Sequence, residues 1–182
     1  MKKFIRSSAV LACIMLLPTM AGAKSNSSHL NQQRLEIGRA LVEVQASDLP
    51  EVLDHYTNEI EYYDPIVSIQ GIGEMTEFQM RLFTSSPDLV TTVDDEICID
   101  DIYTAAWTMF GSFDGIPYTA KGMSIIKFVP KQTQVYYQRD YYSEGDIMIN
   151  IPGLDEPTEA FRTYYRCAVE PNYDCPLPPP EP

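Results

Sequence analysis

The sequence predicts an α+β domain, with helices first and an antiparallel sheet after. Two observations carry this. Apolar residues recur at helical spacing up to about residue 85, and four strand-length runs rich in β-branched and aromatic residues follow from residue 90. Short polar connections separate those runs, as an antiparallel meander requires. The chain has 182 residues, enough for one domain with a real core.

Residues 1–23 read as a secretory signal peptide. Lys2, Lys3 and Arg6 form a positive start, Ala9 to Leu17 is a short apolar run, and Ala21-Gly22-Ala23 is a small-residue cleavage site. The expectation is an exported, periplasmic or secreted protein that begins at Lys24. Without residues 1–23 the chain keeps 10 basic against 26 acidic side chains, a net charge of −16. Such a protein repels nucleic acid and anionic membrane surfaces, so neither is an expected partner. No later stretch is apolar enough for a membrane helix.

Residues 24–29 are polar and read as a disordered lead-in. Leu30, Ile37, Leu41 and Val44 then mark a first amphipathic helix, Leu30 to Ala46. Ser47-Asp48 caps a short second helix with Pro50 in its first turn and Val52, Leu53 and Tyr56 on its buried side. A hairpin follows, Ile60–Asp64 out and Ile66–Gln70 back. Gly71-Ile72-Gly73 leads into a third helix, Glu74 to about Ser85, closed by Pro87. The four strands are Val90–Asp100, Tyr103–Phe113, Tyr118–Phe128 and Thr133–Tyr142, with Gly111 and Gly122 as places to bend. Ile147–Ile151 reads as a further strand and Pro157–Arg166 as a last helix. The domain spans residues 30–151, and 152–182 form an extension with a proline-rich end.

Cysteine usage fits export. Cys167 and Cys175 bracket a turn-rich loop and read as a local disulfide that pins the extension. Cys98, in an alternating run, reads as a small core residue. Two histidines in the whole chain, His29 and His55, leave no histidine-rich metal site, and no phosphate-cradling or other cofactor motif is present, so neither metal nor cofactor is expected.

Two carboxylates stand out. Asp64 follows two tyrosines and precedes a proline. Desolvation there suits a general base, whereas the simpler reading is that Asp64-Pro65 opens a turn. Asp140 lies on the last strand, sharing a face with Tyr136, Gln138 and Tyr142 by strand alternation. It reads as a pocket-wall residue or as a sheet carboxylate bonded to a neighbour.

Several of these features together resemble one family. Ser47-Asp48-Leu49, Tyr56 with Asp64-Pro65, Gly71, Ser86-Pro87-Asp88-Leu89 and Gln138-Arg139-Asp140-Tyr141-Tyr142 are similar in order and spacing to SnoaL-like domains of the nuclear transport factor 2-like superfamily. The resemblance implies a cone: a strongly curved sheet wrapped around the N-terminal helices, with a pocket at its open end. It implies a small apolar or carbonyl-containing ligand, and a homodimer through the open sheet face. Tyr56, Tyr62, Trp107, Ser124, Tyr136 and Gln138 are the expected ligand-binding residues, with Asp64 and Asp140 as catalytic candidates. Related steroid isomerases use the aspartate of an Asp-Pro pair together with two hydrogen-bond donors, which by position fall at Ala40 and Ser124 here. Ala40 cannot donate, so a tyrosine such as Tyr103 or Tyr118 would have to replace it. Acid–base isomerisation, cyclisation or dehydration is one implied function. A non-catalytic ligand-binding or dimerisation module is the other.

Overall fold

The computed structural model describes residues 21–170 and 172–176, with side chains from Ser28 onward. The expected signal peptide lies outside the described residues except for its last three positions, and the end of the proline-rich tail also lies outside.

The first helix, α1 (Ala21–Val42), begins well before Leu30. Residues 24–29 are therefore helical and not an irregular lead-in. Nothing between Gly22 and Gly38 breaks a helix, so the amphipathic turns propagate backward. The short α2 (Leu49–Leu53) buries Leu49 and Val52. Tyr56 belongs to strand β1 (Tyr56–Tyr63) and not to a helix end, because the chain turns extended right after Asp54 and His55. Strand β2 (Ser68–Gln70) completes the expected hairpin. Gly71 then takes φ 87°, a conformation that favours glycine, and starts α3 (Ile72–Ser85).

The four expected strands are present as β3 (Val90–Ile99), β4 (Ile102–Phe113), β5 (Ile116–Phe128) and β6 (Val135–Tyr142). They pair as an antiparallel meander in a six-stranded sheet of order β2-β1-β6-β5-β4-β3. One junction is parallel, where β1 of the hairpin meets β6. The expected strand at Ile147–Ile151 is not formed. That segment begins inside a short helix, α4 (Glu144–Met148), and Ile149, Asn150 and Ile151 close successive turns by backbone bonds. The last helix, α5 (Asp155–Val169), leads to the Cys167–Cys175 disulfide.

The concave face of the sheet carries Tyr56, Ile60, Tyr62, Tyr103, Ala105, Trp107, Ile126, Phe128 and Val135, all buried with Leu41 and Val42 of α1. Strand alternation gives this set, since Tyr103, Ala105 and Trp107 are two residues apart. Gly38 lets α1 lie directly on Tyr103, because a Cβ there would fall against the ring. Gly122 does the same for the Trp107 indole, so its role is close packing. Arg34 is 3% exposed and holds α1 to the strand ends. Its guanidinium donates to the carbonyls of Gln132 (2.9 Å), Val129 (3.0 Å) and Asp100, and it lies over the Phe128 ring. Arginine's forked donors suit such a cluster of carbonyls.

A candidate site on the concave face

A cavity of about 270 Å³, partly open to solvent, lies between the concave face, α1 and α3. Its apolar wall includes Leu41, Val42, Phe78, Leu82, Phe83 and Met109. Its polar wall is built from β1, β5 and β6, whose inward positions bring Tyr62, Asp64, Ser124, Gln138, Asp140 and Tyr142 together. Ser124 sits directly opposite Asp140 in the β5–β6 register, and Tyr62 directly opposite Gln138 in the β1–β6 register.

Asp140 is the centre of this wall. Its Oδ1 accepts from Ser124 Oγ at 2.6 Å and from Gln138 Nε2 at 3.3 Å. Its Oδ2 accepts from the Tyr62 hydroxyl at 3.0 Å. Two of these donors are fixed in turn. The Trp107 indole N–H donates to Ser124 Oγ at 2.9 Å, and the Tyr56 hydroxyl donates to Gln138 Oε1 at 2.6 Å. That last bond sets the Gln138 amide with its NH2 toward Asp140. Burial disfavours the charged carboxylate more than these donors favour it, and the nearby Asp64 charge adds to the effect. Asp140 is therefore pushed up to about 6. Burial, then the charge of Asp140, also raises the Tyr56 and Tyr62 phenols well above their ordinary value, so both remain neutral donors.

Asp64 opens the turn and also faces the cavity. Its Oδ1 accepts the backbone N–H groups of Ile66 (2.7 Å) and Val67 (2.6 Å), which is the turn-forming role. Its Oδ2 faces the cavity, with the Tyr142 hydroxyl at 3.3 Å and the Tyr62 hydroxyl at 3.5 Å. Tyr62 has one proton, which the shorter bond directs to Asp140.

The other sequence-predicted residues divide. Tyr62, Trp107, Ser124 and Gln138 line the cavity. Tyr56 does not; it stands behind Gln138 and positions it. Tyr136 is a correction. A bulge places one extra residue between Val135 and Tyr137 where β5 has none, which shifts the alternation and turns Tyr136 outward, 40% exposed. Neither Tyr103 nor Tyr118 supplies the missing donor. Tyr103 donates to Glu96 and Tyr118 lies 3.2 Å from Ser86, whereas Tyr62 reaches Asp140. Arg139 points outward, over Tyr141 and Tyr63. Cys98 is half-buried and free, and burial raises its thiol, which suits a packing role. Among the described residues no group of three or more His, Cys, Asp or Glu side chains could hold a metal, and no helix is long and apolar enough to cross a membrane.

One site residue escaped the sequence reading. Gln79 is 8% exposed, lines the cavity, and its buried Oε1 has no hydrogen-bond partner among the described residues. The signal was available: it sits between Met75 and Phe83 on the buried stripe of α3, a polar residue at an apolar period.

A family model described as a SnoaL-like domain matches residues 38–136. The chain belongs to the SnoaL-like domain family. No curated protein matches the sequence. Solved structures show the same fold at low identity. A phenazine biosynthesis-related protein from Pseudomonas aeruginosa is 10% identical with a TM-score of 0.61, over 70% of this chain and 90% of that one. A protein with a ketosteroid isomerase-like fold from Catenulispora acidiphila, in complex with trimethylamine, is 12% identical with a TM-score of 0.56, over 64% and 90%. An NTF2-like protein of unknown function from Cytophaga hutchinsonii is 14% identical with a TM-score of 0.54, over 63% and 99%. This SnoaL-like chain thus has the cone expected from its sequence, a ligand-binding, cyclase- or isomerase-type fold.

Proposed function

We propose that this SnoaL-like domain binds a small, largely apolar ligand in its concave pocket and exchanges a proton with it through Asp140. The observation that carries the reading is a carboxyl on the pocket wall, oriented by three donors and pushed up to about 6. A group titrating there is present in both protonation states near neutral pH, which suits general acid–base work. Asp64 is the second carboxylate of the same wall. A dedicated oxyanion hole of the steroid-isomerase kind is not free here, because the Tyr62, Ser124 and Trp107 donors already serve Asp140 and Ser124, so the test uses a ketone whose enolate is stabilised by conjugation with its own ring.

The test is deuterium exchange into 2-tetralone in heavy water, followed by NMR, with wild type and Asp140→Asn. Exchange that rises through pH 6 and vanishes in the variant supports proton transfer. Equal binding to both proteins with no exchange supports the non-catalytic binding module.

Two further parts of the proposal concern the whole protein. Export with cleavage after Ala23 is checked by the N-terminal mass of the mature chain. Homodimerisation would use the outer sheet face, where Ile97, Ile99, Ile102, Phe110 and Met123 are all exposed. Light scattering checks it, and a monomer at high concentration contradicts it.

A further inference from the structure

We infer that the ligand is a small apolar ammonium, a protonated amine whose nitrogen sits against the Asp64 and Asp140 wall. This rests on the reading that the cavity binds a ligand.

The pocket is short of positive charge. Asp140 and Asp64 flank a single phenol oxygen, that of Tyr62. None of the described lining residues is Lys, Arg or His. The one cation beside Asp140 in sequence, Arg139, points out of the pocket. Charge brought out of water is stabilised by a nearby opposite charge, so an arriving cation gains what this wall lacks.

The donors around the two carboxylates are also already engaged. The Ser124, Tyr62, Tyr142, Tyr56 and Trp107 protons are each directed at a protein acceptor. Acceptors remain. Asp64 Oδ2 has partners only at 3.3 and 3.5 Å, which are long, and Gln79 Oε1 has none among the described residues. A buried acceptor without a partner costs free energy that a donating ligand recovers. A ligand with N–H groups fits this inventory, whereas a neutral carbonyl compound adds another acceptor. Tyr62, Phe78, Trp107 and Tyr142 supply ring faces and edges around the same space, and rings favour cations over neutral groups of equal shape.

The decisive comparison uses N,N-dimethylbenzylamine, which is protonated from pH 5 to 8, and isobutylbenzene, its neutral isostere. Binding of both is followed by NMR to the full-length mature protein. The amine should bind at least tenfold more tightly at pH 7.5. The ratio should shrink at pH 5, where Asp140 takes up its proton beside Asp64, Tyr62, Tyr56 and Tyr142. Asp64→Asn should lower amine affinity and leave isobutylbenzene unchanged. Gln79→Leu should do the same, and circular dichroism confirms that each variant is folded. If both probes bind equally, or only isobutylbenzene binds, the ammonium assignment falls and the apolar-ligand reading stands. If neither binds, both fall.

Discussion

Tyr62 donates its phenol proton to Asp140 across 3.0 Å and stands 3.5 Å from Asp64, so one hydroxyl joins two carboxylates from opposite ends of the domain sequence. The pairing follows from β1 lying parallel to β6, which sets Tyr62 opposite Gln138 and lets it reach the residue two further on. A proton held at this junction is the basis of the chemistry proposed above.

Removing the phenol tests the junction. Tyr62→Phe takes away a donor that favours ionised Asp140. A hydrogen bond to a charged group is worth about 1.5–3 kcal/mol, and one pKa unit is about 1.4 kcal/mol. The Asp140 midpoint should therefore move up by roughly one unit, read from the carboxyl carbon by NMR. Ser124→Ala should move it the same way, since Ser124 is the larger of the favourable donors.

Stability should depend on pH through the same group. Asp140 has a folded pKa raised above its ordinary value, so its ionisation is harder in the folded state than in the unfolded one. The folded state is favoured by this group below about pH 4, and the advantage is lost as pH rises through about 6. Asp140→Asn cannot ionise. Its stability relative to wild type should rise by roughly 2–3 kcal/mol between pH 4 and pH 8, as measured by denaturant melts. A constant difference would contradict the assignment.

Arg34 should matter more than any surface charge. Arg34→Met removes the guanidinium from the carbonyls of Asp100 and Gln132, and leaves the Val129 carbonyl only its backbone bond from Gln132. A hydrogen bond from a charged donor is worth about 1.5–3 kcal/mol, and three are lost from a buried guanidinium that also packs on Phe128, so a loss of roughly 3 kcal/mol is expected in thermal or chemical melts. By contrast, Arg81→Ala breaks only an exposed pair with Glu77 and should cost under about 1 kcal/mol.

Gly122→Ala should disturb the floor of the site. The added methyl meets the Trp107 indole, whose N–H orients Ser124. A loss of roughly 1–3 kcal/mol is expected from overpacking. Tryptophan fluorescence should shift with it, because the chain has one tryptophan.

Much of this was legible in the sequence where local pattern decides structure. The hairpin, the third helix, the four-strand meander and the Cys167–Cys175 disulfide were read from period, turn residues and spacing. Three readings failed for non-local reasons. Tyr136 was assigned inward by strict alternation, and a bulge set by pairing with β5 turned it out. Ile147–Ile151 carries apolar residues of strand type, yet its first two residues end α4 and the rest continue in hydrogen-bonded turns. The enolate donor was sought on the meander at Tyr103 and Tyr118, but both hydroxyls have other partners, and the phenol that the parallel β1–β6 contact brings to the site, Tyr62, is given to Asp140. Asp64 illustrates the remaining limit. Its sequence supported a turn residue or a pocket carboxylate, and its two oxygens divide the roles.

The most direct test of the account is the titration of the Asp140 carboxyl carbon in the wild-type protein by NMR. A midpoint near 6, moving up in Tyr62→Phe, is the predicted result. A midpoint near 4 that ignores the Tyr62 substitution would contradict the proposal that Asp140 is the proton carrier of this pocket.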